Sequence, residues 1–269
     1  MKNKAYVNIG AVTMGIAGSF CDAGVLQKYF GIRAEWVDMV EVTRRVELGI
    51  YDHEEYERAL KWVKANCPEG FDKNPENIRH TPEQKEKEWE FVVKMTLICR
   101  DIMLGNDKLN DVRPVGAEAE HSGPKDGWHE EALGRNAILG GFQGQRQWTD
   151  FMPNGDFTEA ILNTTFDWNG KKEPLTFATE NDGLSMLLGK LVTGRASLFA
   201  DVRTYWSPDA VERVCGMRPE GVAKDGFIHL INSGAAALDA TGVCKDKDGN
   251  AAMKEWWNVT DEDIDAMLK

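Results

Sequence analysis

A chain of 269 residues with 42% hydrophobic and 28% charged side chains is long enough to bury one large core or two modest ones, and its composition speaks against both a disordered chain and a membrane-embedded one. The formal net charge of −12 repels phosphate backbones and anionic lipid, so neither nucleic acid nor a membrane is expected as a partner. The cysteines, Cys21, Cys67, Cys99, Cys215 and Cys244, are odd in number, widely spaced and never arranged as Cys-x-x-Cys, which argues against a disulfide framework or a zinc ribbon and for a reducing, cytoplasmic setting.

Tyr6 to Val12 reads as a strand entering a glycine-rich turn, Gly15-Ile16-Ala17-Gly18, followed by helical spacing from Asp22 to Phe30 and a second strand near Ala34 to Met39. Asp52 and Glu55 have capping-box spacing and start a helix to about Ala65. Thr81-Pro82-Glu83-Gln84 is a stronger start, for a helix reaching Leu104 and stopped by Gly105. Along it Trp89, Val92, Val93, Thr96 and Met103 recur at helical spacing, the mark of a core-facing stripe. From Asn106 to Trp128 the pattern breaks into a polar stretch, longer than the ~12–15 residues that compact domains usually leave irregular, and a surface excursion is predicted.

Regularity returns with a strand near Ala137 to Phe142, a helix capped by Asp156 and Glu159, a strand ending at Glu180, a helix from Asp182 and a strand ending at Asp201. Ser207-Pro208 then opens a helix, Gly226 to Asn232 is a further strand, and Thr260 begins a last helix toward Lys269. Strands and helices alternating in this order predict an α/β fold, a parallel sheet flanked by helices at least as far as Val192.

Glu180 and Asp201 each stand where a short apolar run stops, and a carboxylate at the carboxyl end of a buried strand points into the crevice where α/β proteins place ligands. Their separation, 201 − 180 = 21 residues, matches one helix between neighbouring strand ends. Two such carboxylates suit a hard divalent cation with open positions for a substrate's oxygens, whereas helix capping or an ion pair with Arg203 is the plainer alternative. The loop Gly141-Phe142-Gln143-Gly144-Gln145-Arg146-Gln147-Trp148-Thr149-Asp150 concentrates amides, a guanidinium and an indole, which suits a polyhydroxylated ligand and equally suits a loop that ties two elements together. Thr13 to Ser19 lacks the full spacing of a phosphate-binding loop and reads better as a tight turn. The five histidines show no paired ligand spacing, and His229, between Ile228 and Leu230, reads as a satisfied strand residue.

Several stretches go beyond such chemistry. Gly141-Phe142-Gln143-Gly144-Gln145-Arg146, Trp148-Thr149-Asp150, Pro153-Asn154-Gly155-Asp156, Phe166-Asp167-Trp168-Asn169-Gly170, Ala178-Thr179-Glu180-Asn181-Asp182 and Phe199-Ala200-Asp201-Val202-Arg203-Thr204-Tyr205-Trp206-Ser207-Pro208 closely resemble the L-fucose isomerase family. The likeness extends back through Met14 to Ser19 and forward through His229 to Gly234. It implies a Rossmann or flavodoxin-like domain over residues 1–193, similar to the family's second domain, and the beginning of a β-rich C-terminal domain over 194–269.

It also implies an aldose-ketose isomerase of L-fucose catabolism, taking L-fucose to L-fuculose and, by the same likeness, D-arabinose to D-ribulose. By motif match the family's manganese-binding and proton-shuttling glutamate falls on Glu180, its aspartate on Asp201, and a substrate-contacting glutamine on Gln143. The mechanism so implied passes through an enediolate, with Mn²⁺ as cofactor, the sugar as partner and a homo-oligomer as the assembly. The family's histidine ligand matches no motif here, family members are longer at both ends, and the helix after Glu180 reads about three residues shorter than theirs. A non-catalytic remnant that folds or associates without isomerase activity is therefore the competing expectation.

Overall fold

The computed structural model describes residues 1–10, 22–113, 124–143, 152–178, 183–231 and 236–269, with Asp201 described by its backbone. The first strand, β1 (Ala5–Ile9), is followed by a helical turn within residues 23–30, then β2 (Arg33–Val37), α1 (Met39–Glu47), α2 (His53–Asn66) and α3 (Pro82–Leu104). Next come β3 (Ala137–Phe142), α4 (Asp156–Asn163), the short hairpin of β4 (Phe166–Asp167) and β5 (Gly170–Lys171), β6 (Thr176–Phe177) and α5 (Gly183–Thr193). Strands β2, β1, β3 and β6 form one parallel sheet in that order. The expected helix-flanked parallel sheet is thus present. Beyond α5 lie β7 (Asp201–Trp206), α6 (Pro208–Cys215), β8 (Phe227–Ile231) and α7 (Asp261–Met267), with β7 and β8 paired antiparallel to each other.

Ala-Tyr-Val-Asn-Ile is buried at every position because β1 has a strand on each edge and helices over each face. Ala5, Val7 and Ile9 enter the larger core with Val93, Ile98 and Met103 of α3. Tyr6 turns to the opposite face and meets Leu26, Ile32, Leu139 and Leu187 of α5. Burial of each such large apolar side chain contributes roughly 1.5–3 kcal/mol before the entropy of ordering is subtracted. The start of α3 is as its sequence indicates: Thr81 accepts from the Gln84 amide while the Gln84 side chain accepts from the Thr81 amide, and Pro82 occupies the first turn.

The structure corrects the sequence reading at several points. β2 stops at Val37, and Asp38 caps α1, a helix the sequence reading missed, by accepting from the Val40 amide. Asp52 caps α2 through the Glu55 amide, but the Glu55 side chain does not complete a capping box; it turns to Arg100, Trp168 and Asn169. The residue capping α4 is Gly155 rather than Asp156, whose amide is taken by the Asn154 side chain. The polar excursion is tied down at both ends, because Leu109 and Trp128 pack with Ile50 and Ala132.

The largest correction concerns Asp201. It begins β7 instead of ending a strand of the parallel sheet, and its backbone pairs with Ile231. The outer edge of β6 explains why, among the described residues, no fifth strand joins there. In a parallel ladder successive residues bond to alternate neighbours. Ala178 N–H donates to the Gly140 carbonyl on the β3 side, so Phe177 faces outward. The Asn163 carboxamide takes both outward groups, donating to the Phe177 carbonyl at 2.5 Å and accepting from its amide at 3.0 Å.

The β7–β8 ribbon is far more exposed than the sheet, with Val202, Tyr205, Ile228 and Leu230 all open to solvent. A lone two-stranded pair has little burial to stabilise it. In native-state hydrogen exchange the amides of β1 should exchange only through global unfolding, while those of β7 and β8 exchange through a lower-energy local opening. Equal protection of the two sheets would contradict this assignment.

Candidate active site at the strand switch point

β1 leads to β2 on one side and, further along the chain, β3 and β6 lie on the other, so the strand order reverses between β1 and β3. Open α/β sheets bind ligands outside the carboxyl ends of their strands at such a point. Gly10 and Gln143 are the described residues there. Gly10 has φ of 97°, and a Cβ at that position would lie 2.2 Å from the Gln143 carbonyl oxygen, so only glycine allows the two chain segments to approach this closely. Gln143 N–H donates to the Ile9 carbonyl at 2.7 Å, extending the ladder by one residue, and the Gly10 amide donates to Val37 of β2 at 2.9 Å.

The Gln143 side chain is 2% exposed, and its Nε2 donates to the Tyr6 hydroxyl at 3.4 Å. Asn8 is fully buried; its Nδ2 reaches the Tyr6 carbonyl at 3.5 Å, and its Oδ1 has no hydrogen-bond partner among the described residues. Next door, a Cβ on Gly141 would lie 1.7 Å from the Ala178 carbonyl oxygen, so the absence of a side chain lets β3 and the end of β6 lie against each other.

Of the residues expected from sequence, Gln143 is therefore fixed at the switch point. Glu180 lies outside the described residues, as do the turn from Thr13 to Ser19 and the amide-rich loop from residue 144 to 150. The strand-end juxtaposition expected for Glu180 and Asp201 does not hold in that form, since β7 belongs to another sheet. His229 accepts from the Trp206 indole N–H at 3.3 Å, in line with a satisfied strand histidine. Tyr6, Asn8 and Gly10 were not singled out from sequence; the alternation of polar groups within an otherwise apolar strand was the available signal.

Two other concavities compete for attention. A cleft of about 790 Å³ is walled by Trp89 and Phe157 in an edge-to-face pair, with Glu69, Lys85, His80 and Glu88 around it. Those four side chains are already paired as Lys85–Glu69 and His80–Glu88, and the Trp89 indole donates to Glu69 at 3.0 Å. A smaller one of about 330 Å³ contains Asp52, Glu55, Arg100, Asp101 and Lys108. Here Arg100 donates to both Glu55 oxygens and to Asp101, Lys108 pairs with Asp52, and Trp168 and Asn169 from the β4–β5 turn complete the Glu55 shell. Its groups bond one another across α2, α3 and the hairpin, which is the work of a structural clamp.

Burial pushes the Glu55 carboxyl up, yet the hydrogen bonds and charge of Arg100, with help from Trp168 and Asn169, overcome it and bring the pKa from 4.5 to about 2. A folded pKa below the unfolded one means the clamp stabilises fully above about pH 4.5 and is lost as pH falls toward 2. Glu55→Gln should cost about 1–3 kcal/mol near neutral pH, by removing one of the two carboxylates that Arg100 pairs with, and should flatten the acid limb of stability measured by urea denaturation. An unchanged acid limb would remove Glu55 from this role. Gly10→Ala should be destabilising by about 1–3 kcal/mol from backbone strain alone, read by the same method.

The fold defines a doubly wound α/β domain. Residues 4–194 match the family model for the second N-terminal domain of L-fucose isomerase. Over the whole chain the sequence is 54% identical to an L-fucose isomerase of Clostridium perfringens, 53% to that of Bacteroides thetaiotaomicron and 52% to that of Streptococcus pneumoniae. The chain belongs to the L-fucose isomerase family. It spans 44% of the length of each of these relatives.

Proposed function

We propose that this chain supplies the carboxylate and glutamine part of an L-fucose isomerase site, interconverting L-fucose and L-fuculose and, by the same chemistry, D-arabinose and D-ribulose. The observation that carries the reading is the buried Gln143 at the sheet's switch point, in a chain whose relatives bear that name. The Gln143 carboxamide binds a hydroxyl of the open-chain sugar. Glu180 and Asp201 hold and move the proton between C1 and C2. A positioned acid-base pair contributes ~10²–10⁴-fold, so electrostatic stabilisation of the developing enediolate has to supply much of the rest.

Glu180 and Asp201 are oxygen donors of the kind Mn²⁺ accepts, and in that respect the donor set fits. Bound to them, the cation would polarise the sugar's carbonyl and neighbouring hydroxyl. Among the described residues no group of three His, Cys, Asp or Glu side chains converges on one point. In this reading a third ligand completes the site. A reducing, cytoplasmic location and homo-oligomeric assembly belong to the same proposal; no described helix is long and apolar enough to cross a membrane.

The test has two arms. With this chain grafted in place of the matching segment of the Clostridium perfringens relative, Mn²⁺-dependent ketose formation should appear, and Glu180→Gln or Asp201→Asn should each lower it by more than the ~10–100-fold seen for groups one shell further from a metal. The 269-residue chain alone should turn over little or no sugar. An inactive graft would favour the remnant reading. Robust activity of the chain alone, abolished in both variants, would show that it contains a complete ligand set.

A further inference from the structure

The face of the sheet that carries Tyr6 is otherwise lined by Leu26, Ile32, Leu139 and Leu187, all buried. Into this apolar surface the chain places three polar side chains, Tyr6 and Asn8 of β1 and Gln143 just after β3. Tyr6 pairs in register with Leu139 and Asn8 with Gly141, and Gln143 comes two residues after Gly141, so alternation brings all three to the same face. A buried amide left without a partner costs ~1–3 kcal/mol, which is reason enough for its orientation to be specified. The Tyr6 hydroxyl is fully buried in this cluster and accepts from Gln143 Nε2.

A carboxamide is nearly symmetric in shape but not in chemistry: turning it by 180° exchanges a donor for an acceptor. The bond to the phenol fixes where this carboxamide sits, with Nε2 on the Tyr6 side. Asn8, on the same face, keeps a buried and unpaired Oδ1 among the described residues. Such locally unfavourable placements are typical of sites maintained for a ligand.

We propose that Tyr6 is a positioning residue: its hydroxyl holds the Gln143 carboxamide in the place from which it meets a hydroxyl of the open-chain sugar. The inference rests on the isomerase reading for the identity of the ligand, but not for the tether itself. Tyr6 touches no sugar; it acts through Gln143.

The experiment uses the ¹⁵N-labelled chain for amide exchange and the Clostridium perfringens graft for affinity, each as wild type, Tyr6→Phe, Gln143→Ala and the double variant, with the alditol of L-fucose as a non-reacting open-chain probe. In Tyr6→Phe the Gln143 side-chain amide protons should exchange with solvent several-fold faster. Alditol affinity should fall by ~2–10-fold, the loss of one hydrogen bond. In the Gln143→Ala background the Tyr6→Phe change should have no further effect on affinity, since nothing is left to orient. Phenylalanine keeps the ring in the core, and melting curves of both single variants check that they fold. Unchanged amide exchange in folded Tyr6→Phe, or affinity losses that simply add in the double variant, would overturn the proposal. If the wild type binds no alditol while Tyr6→Phe still frees the amide, the sugar reading fails and the tether stands.

Discussion

The double pairing of β1 is the constraint on which the other elements depend. A strand hydrogen-bonded on both edges and covered on both faces has no freedom to shift: a slip of one residue would send Tyr6 into the α3 core and Val7 toward α5. Its exit is fixed as tightly as its interior. Gly10 and Gln143 lie close enough to exclude a methyl group, so the ends of β1 and β3 are held as one unit. The crevice inherits its shape from that unit, and Gln143 stands on a ladder hydrogen bond rather than on a free loop.

A second layer of order comes from polar side chains that do the work of backbone. Glu55 links α2, α3 and the β4–β5 turn through Arg100, Trp168 and Asn169. Asp239 reaches back to the amide and hydroxyl of Thr165, and Leu238 N–H to the Thr164 hydroxyl, joining the chain after the ribbon to the end of α4. Such contacts favour one arrangement over near alternatives only while every member is satisfied.

How much of this was legible in the sequence depended on the range of the forces involved. α3 could be read in full, because its capping box and its apolar spacing are local and agree. α1 was hidden because Met39 and Val40 prolong the apolar run of β2, and only the Asp38 side chain marks the break. Asp201 was assigned to the wrong end of a strand since five residues of apolar pattern cannot say which sheet will take them, and the answer lay in the closed edge of β6. Gln143 was picked out by resemblance, but its Tyr6 partner lies 137 residues away in sequence, beyond the reach of any spacing rule. Glu180 and the side chain of Asp201 remain assigned by motif alone.

The Asn163 carboxamide has a consequence for evolution as well as for packing. By offering one donor and one acceptor to Phe177 it imitates a strand one residue long, at the end of a helix whose position is set by α3. A strand of two residues has almost no ladder with which to define its own phase. The amide supplies it, and so determines that Phe177, rather than Thr176, enters the core beside Phe142. Aspartate, leucine and serine each lose the donor, the acceptor or the reach, which leaves this position far less room to drift than its distance from the crevice would suggest.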